Sequence, residues 1–113
     1  MNHDKTGAKL LRKYRSYDIE SFSLRQKLEE ELENFVYRYF EEPIGFEVFL
    51  NNYGKYIVFH NYSKQHFPKQ LIDDLCKEYD VTFESETVEY CTDYEGNTSK
   101  GKIVYLFEIV KDY

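Results

Sequence analysis

Apolar residues along this chain recur with two different periods. In "SFSLRQKLEEELENFVYRYFEE", Leu24, Leu28, Leu32, Phe35, Val36 and Tyr39 return every three or four residues. That spacing lines one face of a helix. Ser23 and Gln26 fit a capping box at its start, with Asp18 as an earlier alternative. Glu41-Glu42-Pro43 supplies its stop, because the residue before proline is pushed out of the helical region. The period then changes to two. In "GFEVFLNNYGKYIVFHN", Phe46, Val48 and Leu50 share one side and Phe49 lies on the other, while Tyr56 and Val58 oppose Ile57 and Phe59. Two strands around Asn51-Asn52-Tyr53-Gly54 predict a hairpin. Pro68 stands where a first helical position is expected, and Leu71, Ile72, Leu75, Cys76 and Tyr79 follow on one face, giving a short helix to about Asp80. A second strand pair closes the chain, Val81 to about Thr92 and Lys102 to Lys111, joined by "DYEGNTSKG" as a mobile loop.

The order helix, hairpin, helix, hairpin predicts an α+β fold, a four-stranded antiparallel sheet with both helices on one face. Residues 1–17 lack a clean period and read as a basic arm, flexible or forming a short helix, ahead of a single domain over residues 18–113. The pattern leaves one tension. Ile103, Tyr105, Phe107 and Ile109 form one face of the last strand, but Val104, Leu106 and Val110 face the other way with only Glu108 polar. A second face this apolar is expected to be covered by the arm or the loop, or to meet a partner or a second copy.

Composition sharpens this picture. The 113 residues include 12 Tyr and 9 Phe but no Trp, and that many tyrosines cannot all be central, so some belong to surfaces where Tyr favours protein contact. The net charge of −6 is unevenly spread. Residues 1–16 carry five bases against one acid, a net of +4, and the remaining ten bases and twenty acids leave −10 for the body. An acidic body opposes broad phosphate-backbone binding. The basic arm, with Lys9, Arg12, Lys13 and Arg15, keeps a small nucleic-acid-binding regulator as an alternative. No signal-peptide pattern and no membrane-spanning run is present, so a cytoplasmic protein with two reduced thiols, Cys76 and Cys91, is expected.

Catalytic and metal chemistry find little footing. His60 and His66 flank "NYSKQ", no His-x-x-x-His or Cys-x-x-Cys occurs, and "DYEGN" only faintly follows a calcium loop. Neither cysteine has a cationic context that would activate it. The expectation is a non-enzymatic protein without cofactor or metal.

The informative tract is "FESETVEYCTDYEGN", where Glu84, Glu86, Glu89, Asp93 and Glu95 surround Tyr90 and Tyr94 with no Lys or Arg. Residues two apart on a strand lie about 6.5–7 Å apart on one face, close to the step between phosphates. Glu84 and Glu86 are expected as such a pair, continued by Val88 and Tyr90, with Glu89 and Asp93 pointing away. Carboxylates beside tyrosines combine steering with contact area. These seven residues are the expected contacts to a basic protein surface. Small size, an acidic body, abundant Tyr and "ESETVEYCTDYEGN" together resemble the small anti-defence proteins of phages and mobile elements, anti-CRISPR proteins among them. The resemblance is one of general character, and it implies an inhibitor that occupies the nucleic-acid-binding surface of a host nuclease.

Overall fold

Side chains alternate in and out as the sequence does over Tyr56–Asn61 and the later part of Thr98–Ile109. In a computed structural model that describes residues 22–51 and 55–109, strand β2 (Tyr56–Asn61) buries every second residue, Ile57, Phe59 and Asn61. Helix α1 (Phe22–Tyr37) precedes β1 (Phe46–Asn51) and β2. Helix α2 (Lys69–Tyr79) leads into β3 (Val81–Thr92) and β4 (Thr98–Ile109). The fold is α+β, with two helices and one antiparallel sheet in the order β1-β2-β4-β3 among the described residues. Residues 1–21 and 110–113, and with them the expected basic arm, lie outside the described residues, as do 52–54 of the first hairpin turn.

One core joins the elements. Leu28, Leu32, Phe35 and Val36 of α1 and Leu71, Leu75 and Tyr79 of α2 are buried together with Val48, Leu50, Ile57, Phe59, Ile103, Tyr105, Phe107 and Ile109. Phe67, from the connection between β2 and α2, stacks flat on Tyr105 with ring centroids 4.2 Å apart and meets Phe59 edge-on at 5.5 Å. The opposite sheet face carries Phe49, Val58, His60, Val104 and Leu106, each at least partly exposed.

Several boundaries differ from the sequence reading. Helix α1 already includes Phe22, so the box at Ser23 and Gln26 does not mark its start. It stops at Tyr37, well before Pro43. The chain leaves the helix in a turn, with Tyr39 N–H donating to Val36 at 3.0 Å, which lets the Tyr39 hydroxyl reach Asp74 of α2 and Phe40 meet Phe67. Burial and the Asp74 bond push the Tyr39 phenol up to about 12. Pro68 is the N-cap of α2 and not its first helical residue, so the helix starts one residue later than expected, and the Pro68 carbonyl accepts from Leu71 and Ile72. Asp80 ends the helix in the left-handed region at φ 57°, a conformation that Asp tolerates better than most side chains.

The largest difference is in the last hairpin. β4 begins at Thr98, so the expected long mobile loop is only the turn Asp93–Asn97. That turn is tightly bonded. Asp93 N–H donates to the Asn97 carbonyl at 2.9 Å, and the Asp93 carboxylate accepts from the N–H groups of Glu95 and Asn97, both at 2.9 Å. Gly96, at φ 88°, occupies a position that favours glycine. Two irregularities bend the hairpin. The register shifts between Phe83 and Ser85, leaving Glu84 as an extra residue, and again beside Glu89 and Tyr90, where Gly101 is extra. A Cβ at Gly101 would come within 2.6 Å of the Cys91 sulfur, so glycine allows that side chain to lie across the strand.

Candidate functional site

β2 pairs with β4 only as far as Asn61 opposite Ile103, whereas β3 and β4 continue to Thr92 opposite Thr98. The end of the hairpin therefore overhangs the four-stranded sheet as a two-stranded ribbon. At about 3.3 Å per residue, the five residues Thr98–Lys102 carry it roughly 17 Å beyond β2. Such a ribbon has little apolar packing of its own. It is held by its ladder, by the Asp93 turn, by the Thr92 and Thr98 hydroxyls 3.2 Å apart, and by Lys100 Nζ donating to the Lys64 carbonyl at 3.3 Å. From Glu89 to Lys100 every residue is exposed. Tyr90 is 66% exposed and Tyr94 fully so.

The seven tract residues do not form one row. Glu84 is the bulge residue, which breaks the expected alignment of Glu84 with Glu86. Glu86 lies opposite Tyr105, on the buried side of β4, and its carboxylate takes His66 Nδ1 and, at 3.5 Å, the Tyr105 hydroxyl. Glu89 faces the outer side opposite Lys102, whose Nζ lies 3.6 Å from its carboxylate. Asp93 spends its carboxylate on the turn. Tyr90, Tyr94 and Glu95 remain, outward at the ribbon end. Cross-strand neighbours also change the charge. Lys102 opposes Glu89 and Lys100 opposes Tyr90, so the tract that lacks bases in sequence has two beside it in space.

Around Glu86 the structure assembles polar residues that the sequence reading did not connect. Asn61 is completely buried, donating to the Gln65 carbonyl at 2.7 Å and accepting from Ser63 N–H at 2.9 Å. The Tyr105 hydroxyl accepts from Phe67 N–H at 2.8 Å. Burial pushes this phenol up to about 12 against the lowering effect of that bond. The network clamps the connection Tyr62–Phe67 to the sheet. His66 and Glu86 form an oriented imidazole–carboxylate pair, yet no nucleophile contacts His66 among the described residues. A cleft of about 300 Å³ lies elsewhere, between Arg25, Gln26, Glu29, Phe49 and Leu50. That cleft and the His66–Glu86 pair involve different residues. Asn61 and His66 in "HNYSKQHFP" were the available signal, since an Asx-type turn before a proline-started helix needs a side-chain acceptor.

On the outer face, His60 meets Phe49 edge-on at 5.1 Å and lies 3.5 Å from Lys102 Nζ. Burial, then the Lys102 charge, lowers its pKa below the usual histidine range. Tyr62 donates to Glu47 at 2.6 Å, and that bond raises its pKa. The His60 shift has a consequence for stability. The unfolded chain takes up this proton first as pH falls, so folding weakens from about pH 7 downward through the lower folded pKa. His60→Gln removes that part of the pH dependence. Urea unfolding at about pH 7.5 and about pH 5 should show a smaller acid loss for the variant than for the natural protein; equal losses would remove His60 from the account.

Cys76 and Cys91 are free thiols, Cys76 half-buried with its pKa raised by burial and Cys91 exposed. Among the described residues no group of three or more His, Cys, Asp or Glu gathers as metal donors, and no helix is long and apolar enough to cross a membrane. The basic residues Lys9, Arg12, Lys13 and Arg15 lie outside the described residues. No protein-family model, curated protein or solved structure matches the chain.

Proposed function

We propose that this is a non-enzymatic protein-binding module whose projecting β3–β4 ribbon inserts Tyr90, Tyr94 and Glu95 into a basic surface of another protein. The observation that carries the reading is the overhang itself, with a fully exposed Tyr94 beyond the end of β2. A solvated turn has no use for two outward tyrosines. A contact surface does, since Tyr supplies large area at low entropy cost and is enriched at interfaces. Glu95, in a turn fixed by Asp93, adds a negative charge with no internal partner among the described residues, which favours a cationic target.

The general resemblance to anti-CRISPR-type proteins directs the choice of partner. The target is a nucleic-acid-binding surface of a nuclease in the cytoplasm of a phage-infected cell, and the protein acts as its inhibitor. With Glu84, Glu86, Glu89 and Asp93 dispersed or occupied, the mode is insertion of a tyrosine-bearing tip and not imitation of a row of phosphates. A second copy is the weaker partner for the outer sheet face. Glu47, Glu89 and Glu108 outnumber Lys102 there, so two such faces oppose like charges.

The test is cleavage of a labelled duplex by a panel of purified guide-RNA-loaded nucleases with increasing amounts of this protein. Inhibition of at least one is expected, weakened by added salt and by competing nucleic acid. Tyr94→Ala combined with Glu95→Lys should raise the half-inhibitory concentration tenfold or more, the effect of a tyrosine hot spot, with Tm unmoved. Undiminished inhibition by the double variant, or no inhibition across the panel, refutes the reading.

A further inference from the structure

The sheet has two edges, and they are treated differently. At the β1 edge, Glu29 of α1 accepts the outward N–H of Leu50 at 3.1 Å. At β3, α2 packs against the strand, and the Glu84 bulge follows its first residues. From Ser85 to Thr92 the strand pairs with β4 alone, and no other described element bonds its outer backbone. That is about 26 Å of strand at roughly 3.3 Å per residue. Natural sheets cover, shorten or interrupt such an edge, because its free N–H and C=O groups pair with any extended chain that fits. This edge has no proline in it, and its main protection is charge.

We infer that the outer edge of β3, from Ser85 to Thr92, is a strand-addition site for an extended cationic segment of a partner protein. The side chains set the pattern. Thr87 and Glu89 lie on the outer face, opposite Val104 and Lys102, while Val88 lies on the inner face, opposite Ile103. An added strand places alternate residues beside these two rows. Lys or Arg falls next to Glu89, whose side chain stays 54% exposed beside Lys102, and an apolar residue next to Val88. A second copy of the chain does not suit the edge, since each copy brings Glu84, Glu86 and Glu89 and the pairing sets two acidic strands side by side. The inference shares with the proposed function only a basic protein partner. It uses main-chain bonds along β3, not the ribbon tip.

The probe is a seven-residue peptide alternating Lys or Arg with Val, added to the full chain. Micromolar binding is expected, with amide hydrogen exchange slowed between Ser85 and Thr92. A peptide of the same sequence with alternate backbone nitrogens methylated keeps the charge but cannot complete the ladder, and should bind at least tenfold more weakly. Glu89→Lys should weaken the unmethylated peptide by a similar factor. Tyr94→Ala with Glu95→Lys should leave peptide binding intact, so the edge and the ribbon tip fail or succeed separately. Equal binding by the methylated peptide overturns the inference, as does protection outside β3. Self-association in sedimentation with protection of Ser85–Thr92 overturns it in favour of a second copy.

Discussion

Tyr105→Ala should cost about 3–5 kcal/mol of folding stability, the range for removing a buried aromatic side chain, and lower Tm by about 12–20 °C at roughly 4 °C per kcal/mol for a domain of this size. Three interactions converge on this residue. Its ring stacks on Phe67, it is fully buried in the sheet core, and its hydroxyl accepts the Phe67 N–H at 2.8 Å. Alanine leaves a cavity and an unpaired N–H together. Tyr105→Phe separates the two. It keeps the stacking and loses only the hydroxyl, so about 1–3 kcal/mol is expected, the cost of a buried donor without an acceptor. The phenylalanine variant should also speed hydrogen exchange of the Phe67 amide and loosen Glu86, which loses one of its two contacts. Urea unfolding of both variants checks the account. Equal costs for Phe and Ala would mean that the hydroxyl carries everything, and a cost below about 1 kcal/mol for Ala would mean that the core closes over the gap.

Tyr105 also shows which parts of this molecule sequence can reveal. Its inward direction was legible, because Ile103, Tyr105, Phe107 and Ile109 alternate cleanly and all four are buried. The same holds for the α1 stripe at Leu28, Leu32, Phe35 and Val36 and the α2 stripe at Leu71, Leu75 and Tyr79. These periods follow from backbone geometry within one element. What the Tyr105 hydroxyl binds was not legible, since Phe67 reaches it through tertiary packing. Just past the end of helix α1 at Tyr37, Tyr39 bonds Asp74 and Phe40 meets Phe67, tertiary contacts of the same kind.

The candidate site was legible in composition and illegible in arrangement. Tyr90, Tyr94 and Glu95 are exposed as expected. The bulge at Glu84, however, is a property of two strands paired, and one strand's sequence does not announce it. A one-residue shift reverses every side chain beyond it. Glu86 thus turns toward His66 and Tyr105, and Glu89 toward Lys102. The polar run Thr98–Gly101 hid the start of β4, because "NTSKG" has turn-like composition while its pairing with Thr92, Cys91 and Tyr90 makes it strand. Asp93 looked like a candidate contact because a carboxylate that organises a turn and one that awaits a partner are the same residue type.

Replacing Tyr90–Lys100 with a short Gly-Asn-Gly turn should remove engagement of the basic partner by a hundredfold or more while moving Tm by only a few degrees. Residues 90 to 100 contribute nothing to the buried core. The bonds they make, from Asp93 within the turn and between Thr92 and Thr98, serve only the ribbon, apart from Lys100 on the Lys64 carbonyl, an exposed contact. A ribbon without apolar packing adds little to global stability, and the short turn also removes the entropy of closing a longer hairpin. On the other side, Tyr90, Tyr94 and Glu95 leave together, and hot-spot losses of about 2 kcal/mol each exceed a hundredfold when two are removed. Nuclease inhibition and a thermal melt on the same variant decide the matter. Retained inhibition places the partner surface off the ribbon, and a collapse of Tm shows that the overhang supports the sheet. A chain that keeps its fold and loses its partner would establish that the ribbon exists for contact.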